Sequence, residues 1–163
     1  MAAGLSMREE DIDVFRERIN EEPLLSENDF TKKIMIDCDM PLSYLSEHTR
    51  LIDEMELLEP CGTKNQKALF AVKDIKPYSA KIIGRDRHFL KFSLPAGKGA
   101  LDALYFGDID EMREYYENKF SKSDFDALLH GRANDITLTI AYEASWNEYN
   151  GEKKPQILIK HFK

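Results

Sequence analysis

The sequence predicts a mainly-β fold with flanking helices, and three observations predict it. From Leu69 onward, short runs rich in branched and aromatic residues alternate with turn signals. A helical stretch interrupts these runs after about residue 107, and a strand pair joined by an Asn-Gly hairpin signal closes the chain. The 163 residues suit one domain of ordinary size with an extra element attached, enough to bury a core. Charged residues make up 33% and hydrophobic ones 42%, with no long apolar run, which argues against disorder and against a membrane span. Two cysteines do not make a disulfide framework, and the opening MAAGLSMREE lacks the basic-then-apolar order of a secretory signal. A reducing cytoplasm is the expected compartment.

The elements follow in order. Ser6 and Glu9 form a capping-box pattern, acids crowd Glu9 to Asp11, and Ile12, Phe15 and Ile19 share one face, so a helix is expected up to Pro23. Its apolar stripe calls for a surface outside this chain, as in a fragment. Residues 33–40 alternate as a short strand, with Asp37 and Asp39 on its solvated face rather than as a metal pair. Ser46 is expected to cap a helix through about Leu58, packing Leu51, Ile52, Met55 and Leu58, with Pro60 and Gly62 ending it. Strands are then expected over about 69–76, 79–84, 88–94 and 101–107, with turns at Lys76-Pro77, Gly84 to Asp86 and Pro95 to Gly99. Helical spacing follows over 109–120 and around Phe125 to Leu129, then strands over 135–143 and 156–162. Strands, a helix and a final strand pair are the order of a five-stranded OB-fold, a Greek-key barrel with a helix between its third and fourth strands. The expected division is a tail helix and linker over 1–32 and the barrel, with its lead-in strand and helix, over 33–163.

The net charge of −7 argues against a polyanionic partner, but it is unevenly spread. Residues 60–100 hold nine Lys and Arg against two acids, Asp74 and Asp86, whereas residues 1–59 hold six against sixteen. A ligand senses the local field, so a cationic patch open along one barrel wall is expected. A merely solvated basic surface is the alternative.

The run from His88 to Leu94 is the most informative strand. Alternation puts His88, Leu90, Phe92 and Leu94 on a core face and Phe89, Lys91 and Ser93 on the other. With Lys81, Arg85 and Arg87 nearby in sequence, Phe89 and Lys91 supply a ring for an unpaired base and cations for phosphates. As plain structure, Phe89 would instead pack under a loop or on the 109–120 helix. A second cluster, Trp146, Asn147, Tyr149 and Gln156 around the hairpin, can stack on bases and bond their edges; as structure alone, Trp146 would plug the barrel end. Catalysis finds no support: the four histidines share no ligand spacing, and there is no Gly-rich phosphate loop, paired CxxC or nucleophile elbow.

These residues together resemble the C-terminal part of the RecJ family of single-strand-specific DNA exonucleases, across essentially the whole chain. Met1 to Leu5 resembles the tail of that family's Gly-Gly-His-x-x-Ala-Ala-Gly signature in the DHH-associated domain, and Glu9 to Glu22 its closing helix. Leu57 to Asn65 resembles its Leu-Glu-Pro-Phe-Gly-x-x-Asn segment, with Cys61 in place of the phenylalanine. His88 to Lys91 is similar to a His-Leu-Lys run, and Asn147 to Gly151 with Pro155 to Ile159 to the terminal hairpin. The resemblance implies an OB module that grips single-stranded DNA for a 5′-to-3′ exonuclease of recombination and repair. The Mn²⁺ or Mg²⁺ ions and their ligands would lie in the parent's upstream DHH domain, leaving this piece without a cofactor and without the nuclease core. The alternative is a protein-interaction barrel that docks on the parent's own domains or on a repair partner. Neither reading involves a membrane.

Overall fold

The computed structural model describes residues 4–21, 34–84 and 89–163. The chain divides into two units, Met1–Ile34 and Met35–Lys163. In the first, a 3-10 turn over Glu9–Asp11 leads into α1 (Ile12–Glu21). Ser6 does not cap it: Arg8 holds the N-cap position and makes no side-chain cap bond, so the acids of the first turn meet the positive helix end alone. The stripe of Ile12, Phe15 and Ile19 is exposed. Pro23 lies outside the described residues.

The second unit opens on β1 (Cys38–Asp39), parallel to β2 (Phe70–Ile75). Of the strand expected over 33–40, Lys33 lies outside the described residues and only Cys38–Asp39 is strand; just before it the Asp37 N–H donates to the Leu69 carbonyl at 2.9 Å and Asp37 Oδ2 accepts the Leu69 N–H at 2.8 Å. The single helix expected from Ser46 is two, α2 (Leu42–Glu47) after Pro41 and α3 (Arg50–Glu56). The break falls at His48, whose ring stacks on Tyr44 at 4.1 Å and whose Nδ1 meets the Tyr44 carbonyl. Ser46 therefore sits inside α2, its hydroxyl donating to Ser43 and reaching the Ala96 carbonyl. Ile52 of α3 is buried, but Leu58, past the helix end, stands exposed.

The barrel strands are β2, β3 (Ser79–Ile83), β4 (Phe89–Ala96), β5 (Gly99–Tyr105), β6 (Leu138–Tyr149) and β7 (Glu152–Phe162), in the sheet order β1-β2-β6-β7-β5-β4-β3. The seven segments expected as strands each hold one, two more than the five of a plain OB barrel. One extra is the two-residue β1. The other arises because the first barrel strand is broken at Lys76-Pro77: β2 pairs antiparallel with β6, and β3, three residues on, pairs antiparallel with β4 at the far end of the order. Proline cannot donate to a ladder, so the chain leaves one neighbour there and takes up the other. β2, next to the short end strand β1, and β3, at the opposite end, are thus successive pieces of one stretch, which brings the sheet round on itself. β5 runs parallel to β7, with the helices between β5 and β6, which is the OB connectivity.

Those helices are α4 (Ile109–Lys119) and α5 (Lys122–Leu129). Asp108 caps α4 by accepting the Asp110 and Glu111 N–H groups, and Ser121 caps α5 by accepting that of Asp124. Met112, Tyr116, Phe125 and Leu128 are fully buried against Leu90, Phe92, Leu94, Tyr142 and Ile157 in one core. Phe162 of β7 docks α4, its ring 5.4 Å from Tyr115 and 6.0 Å from Tyr116. The β4–β5 turn is tighter than expected: Ala96 pairs with Gly99, leaving Gly97 at φ 61 as the first central residue. The closing hairpin is also longer than its apolar segments suggest. Asn147 pairs with Lys154 and Glu148 with Lys153, up to a two-residue turn in which Asn150 and Gly151 both have positive φ.

Candidate nucleic-acid interface

β4 is the hinge of the site. Leu90, Phe92 and Leu94 point inward with no more than trace exposure, which turns Phe89, Lys91 and Ser93 outward. His88, expected on the inner side, lies outside the described residues, as do Arg85 and Arg87. Register then builds rows across the barrel wall. One runs Lys81, Lys91, Leu104, Leu158; the next runs Ser79, Ser93, Asp102, Gln156, Ser145. Lys81, Phe89, Lys91 and Gln156 are therefore brought onto one face.

Two features of this face are not legible in the basic stretch alone. Phe89 meets Phe106, just past the end of β5 in the connection to α4, edge-on, ring centroids 4.8 Å apart at 63°. Phe106, missed in the sequence, is the more open ring, 55% exposed, next to Gly107, where a Cβ would overlap the Tyr105 ring. The signal was available, since Asp102, Leu104 and Phe106 alternate against the buried Leu101, Ala103 and Tyr105. Second, Lys91 is not a bare cation. Its Nζ pairs with the Asp102 carboxylate at 2.7 Å. An exposed pair of this kind contributes about 0–1 kcal/mol to stability, but its carboxylate opposes the field Lys91 offers a phosphate.

The cationic stretch is also dispersed more than its linear count implies. Lys67 pairs with Glu59 and Lys76 with Asp135, away from this face. The hydrogen bond and charge of Glu59 raise the Lys67 ammonium above its ordinary range. Lys98 stands at the β4–β5 turn, the end of β4 opposite Phe89. Among the described residues of 60–100, register places Lys81 and Lys91 on this face.

The hairpin divides the second cluster by face. Asn147 and Tyr149 alternate with Ser145 on the side of Gln156, whose Nε2 donates to the Ser145 hydroxyl at 3.3 Å. Tyr149 is 73% exposed. Trp146 turns the other way. Its Nε1 donates to Asp53 Oδ1 of α3 at 2.9 Å, and Lys153, itself paired with Asp53, covers its ring at 4.6 Å. The structure makes it the anchor of the hairpin to α3. Beyond Asn147, Lys154 bonds Glu152; this contact, then the charge of nearby Asp102, raises the ammonium, and Lys154 in turn lowers the Glu152 carboxyl.

OB-folds bind oligonucleotides on the face of their second and third strands, between the loops joining strands one to two and four to five. Those are here the face of β4 and β5, the connection at 84–88 and the turn at Asn150-Gly151. Among the described residues no group of three His, Cys, Asp or Glu converges to hold a metal ion. No described helix is long and apolar enough to cross a membrane.

Comparison with known proteins agrees with this architecture. Residues 36–161 match the RecJ OB domain family. The single-stranded-DNA-specific exonuclease RecJ of Bacillus subtilis is 28% identical over 162 residues, 98% of this chain and 18% of that protein. Crystal structures of RecJ from Thermus thermophilus in complex with Mg²⁺ and with Mn²⁺ match 97% of the chain and 21% and 20% of theirs, with TM-scores of 0.62 and 0.57 at 20% identity. The chain thus spans about a fifth of the relatives it matches, and it belongs to the RecJ OB domain family.

Proposed function

We propose that this chain is the single-stranded-DNA-binding OB module of a RecJ-like 5′-to-3′ exonuclease of recombination and repair. It grips the strand and feeds it to a catalytic cleft on the parent's DHH domains, where Mn²⁺ or Mg²⁺ would act, and it performs no chemistry itself. The work belongs in the cytoplasm, consistent with two free cysteines. One observation carries the reading: register gathers Lys81, Lys91 and the Phe89–Phe106 ring pair on the wall that OB-folds use for oligonucleotides. Arg85 and Arg87 are assigned to the same site from the sequence alone, and Asn147, Tyr149 and Gln156 flank its other end. Trp146 serves it indirectly, by holding the hairpin.

Fluorescence anisotropy with labelled thymidine oligomers at two salt concentrations tests this. Lys81→Ala should lower the slope of log affinity against log salt by about 0.7, the share of one phosphate contact on a single strand. Phe106→Ala should cost about 1–3 kcal/mol with the slope unchanged, as lost stacking does. Binding that ignores both substitutions sinks the reading.

A protein-docking role has one observation in its favour, the exposure of Met35, Leu57 and Leu58 in the lead-in to the barrel. It predicts salt-insensitive binding to the parent's upstream domains and none to oligonucleotides.

A further inference from the structure

The outward wall continues past the ring pair onto β7. Tyr105 and Ile159 are partners in the parallel β5–β7 ladder and both are buried, so the next residues, Phe106 and Lys160, stand in one row and face outward. Neighbouring strands lie about 5 Å apart, which puts Lys160 one strand from the open ring. Its Nζ lies 3.4 Å from the Glu143 carboxylate of β6. Beyond it, between β6, β7 and the 61–67 loop, opens a depression of about 730 Å³ whose lining includes Thr63, Lys64, Gln66, Lys67, Lys160 and His161. A space of this size holds a nucleotide, since small-molecule sites span about 300–1,000 Å³. The carboxylates on the same lining are engaged, Glu143 by Lys160 and Asp37 by the Leu69 N–H, and Lys67 is held by Glu59. Lys64 is exposed, and among the described residues it has no carboxylate partner. Its turn is built. Gly62 and Asn65 exchange backbone hydrogen bonds of 2.8 and 3.1 Å across Thr63 and Lys64, and Asn65 Nδ2 donates to the Leu58 and Pro60 carbonyls.

We propose that this depression is a second nucleotide subsite, taking the part of the strand that follows a base stacked on Phe106, with Lys160 and Lys64 as its phosphate contacts. The proposal rests on the DNA-gripping reading and lengthens the site which that reading describes. A single strand crossing the wall from Lys81 on β3 passes the rings and meets Lys160 next, because the row of Phe89 and Phe106 continues there. Bases stack on the rings, and the backbone needs cations along its track. Lys160 supplies one that is shared with Glu143, and Lys64 supplies one that is not. Glu143 is thus a competitor that an arriving phosphate displaces, so the subsite holds its nucleotide loosely.

Anisotropy of a labelled thymidine oligomer of ~16 nucleotides, the upper size of one OB site, tests this across a salt series. Lys64→Ala and Lys160→Ala should each lower the slope of log affinity against log salt by about 0.7. Glu143→Gln should tighten binding about two- to fivefold, the scale of a surface ion pair released. Lys98→Ala removes the same charge at the β4–β5 turn, the far end of β4 from the rings, and should leave the slope as it is. An unchanged slope in either Lys64→Ala or Lys160→Ala, looser binding by Glu143→Gln, or an equal fall in Lys98→Ala overturns the subsite. If Lys81→Ala still lowers the slope in that case, the DNA-gripping reading stands. An unaltered chain that does not bind the oligomer overturns both.

Discussion

At the scale of single residues, two buried tyrosines carry opposite lessons. The Tyr142 hydroxyl donates to the Met40 carbonyl at 2.8 Å, tying the chain just ahead of α2 to β6 inside the core. Tyr116 is as deeply buried, yet its hydroxyl finds no partner among the described residues. Removing a hydroxyl leaves an orphaned carbonyl in the first case and relieves an unpaired group in the second. Tyr142→Phe should therefore cost about 1–3 kcal/mol, and Tyr116→Phe should be neutral or stabilising. Urea midpoints at constant m-value measure both; equal losses would show that Tyr116 has a partner after all.

At the scale of elements, caps and registers decide what was legible. The alternation of Leu90, Phe92 and Leu94 fixed both the strand and its facing, because a half-buried strand has only one register that hides its apolar set. Asn150-Gly151 likewise announced its turn. The site was half legible for the same reason: one strand's facing can be read alone, but Asp102 beside Lys91 and Phe106 beside Phe89 come from a neighbouring strand. Trp146 was open to two readings until α3 placed Asp53 under its indole nitrogen. Local patterns also misled where a partner lay outside the window. Ser6 carried the capping pattern and caps nothing, whereas Asp108 and Ser121 do the capping. Asp108→Ala and Ser121→Ala should each lose about 1 kcal/mol in a urea melt, and Ser6→Ala should stay within about 0.5 kcal/mol of the unaltered chain.

At the scale of the whole molecule, the same burial that builds the core makes the fold sensitive to alkali. Burial raises the phenols of Tyr116 and Tyr142 far above the ordinary tyrosine range; Tyr105 shifts the same way, by burial first and then by the charges of Glu111 and Asp108. In the unfolded chain these phenols lose their protons near pH ~10. The folded state keeps them, so above that point the unfolded state binds fewer protons and stability falls as pH rises. Below it, both states hold the protons and stability from this source is flat. The two deeply buried tyrosines together give a slope of about 2.7 kcal/mol per pH unit. Lys67 and Lys154, raised by their carboxylate partners, add in the same direction, but at exposed sites their share is small. Urea midpoints should therefore hold level to about pH 9 and then drop, and Tyr116→Phe should remove roughly half the slope. A Tyr116→Phe protein that falls as steeply as the unaltered chain would place the alkaline sensitivity elsewhere, in the surface charges rather than in the core.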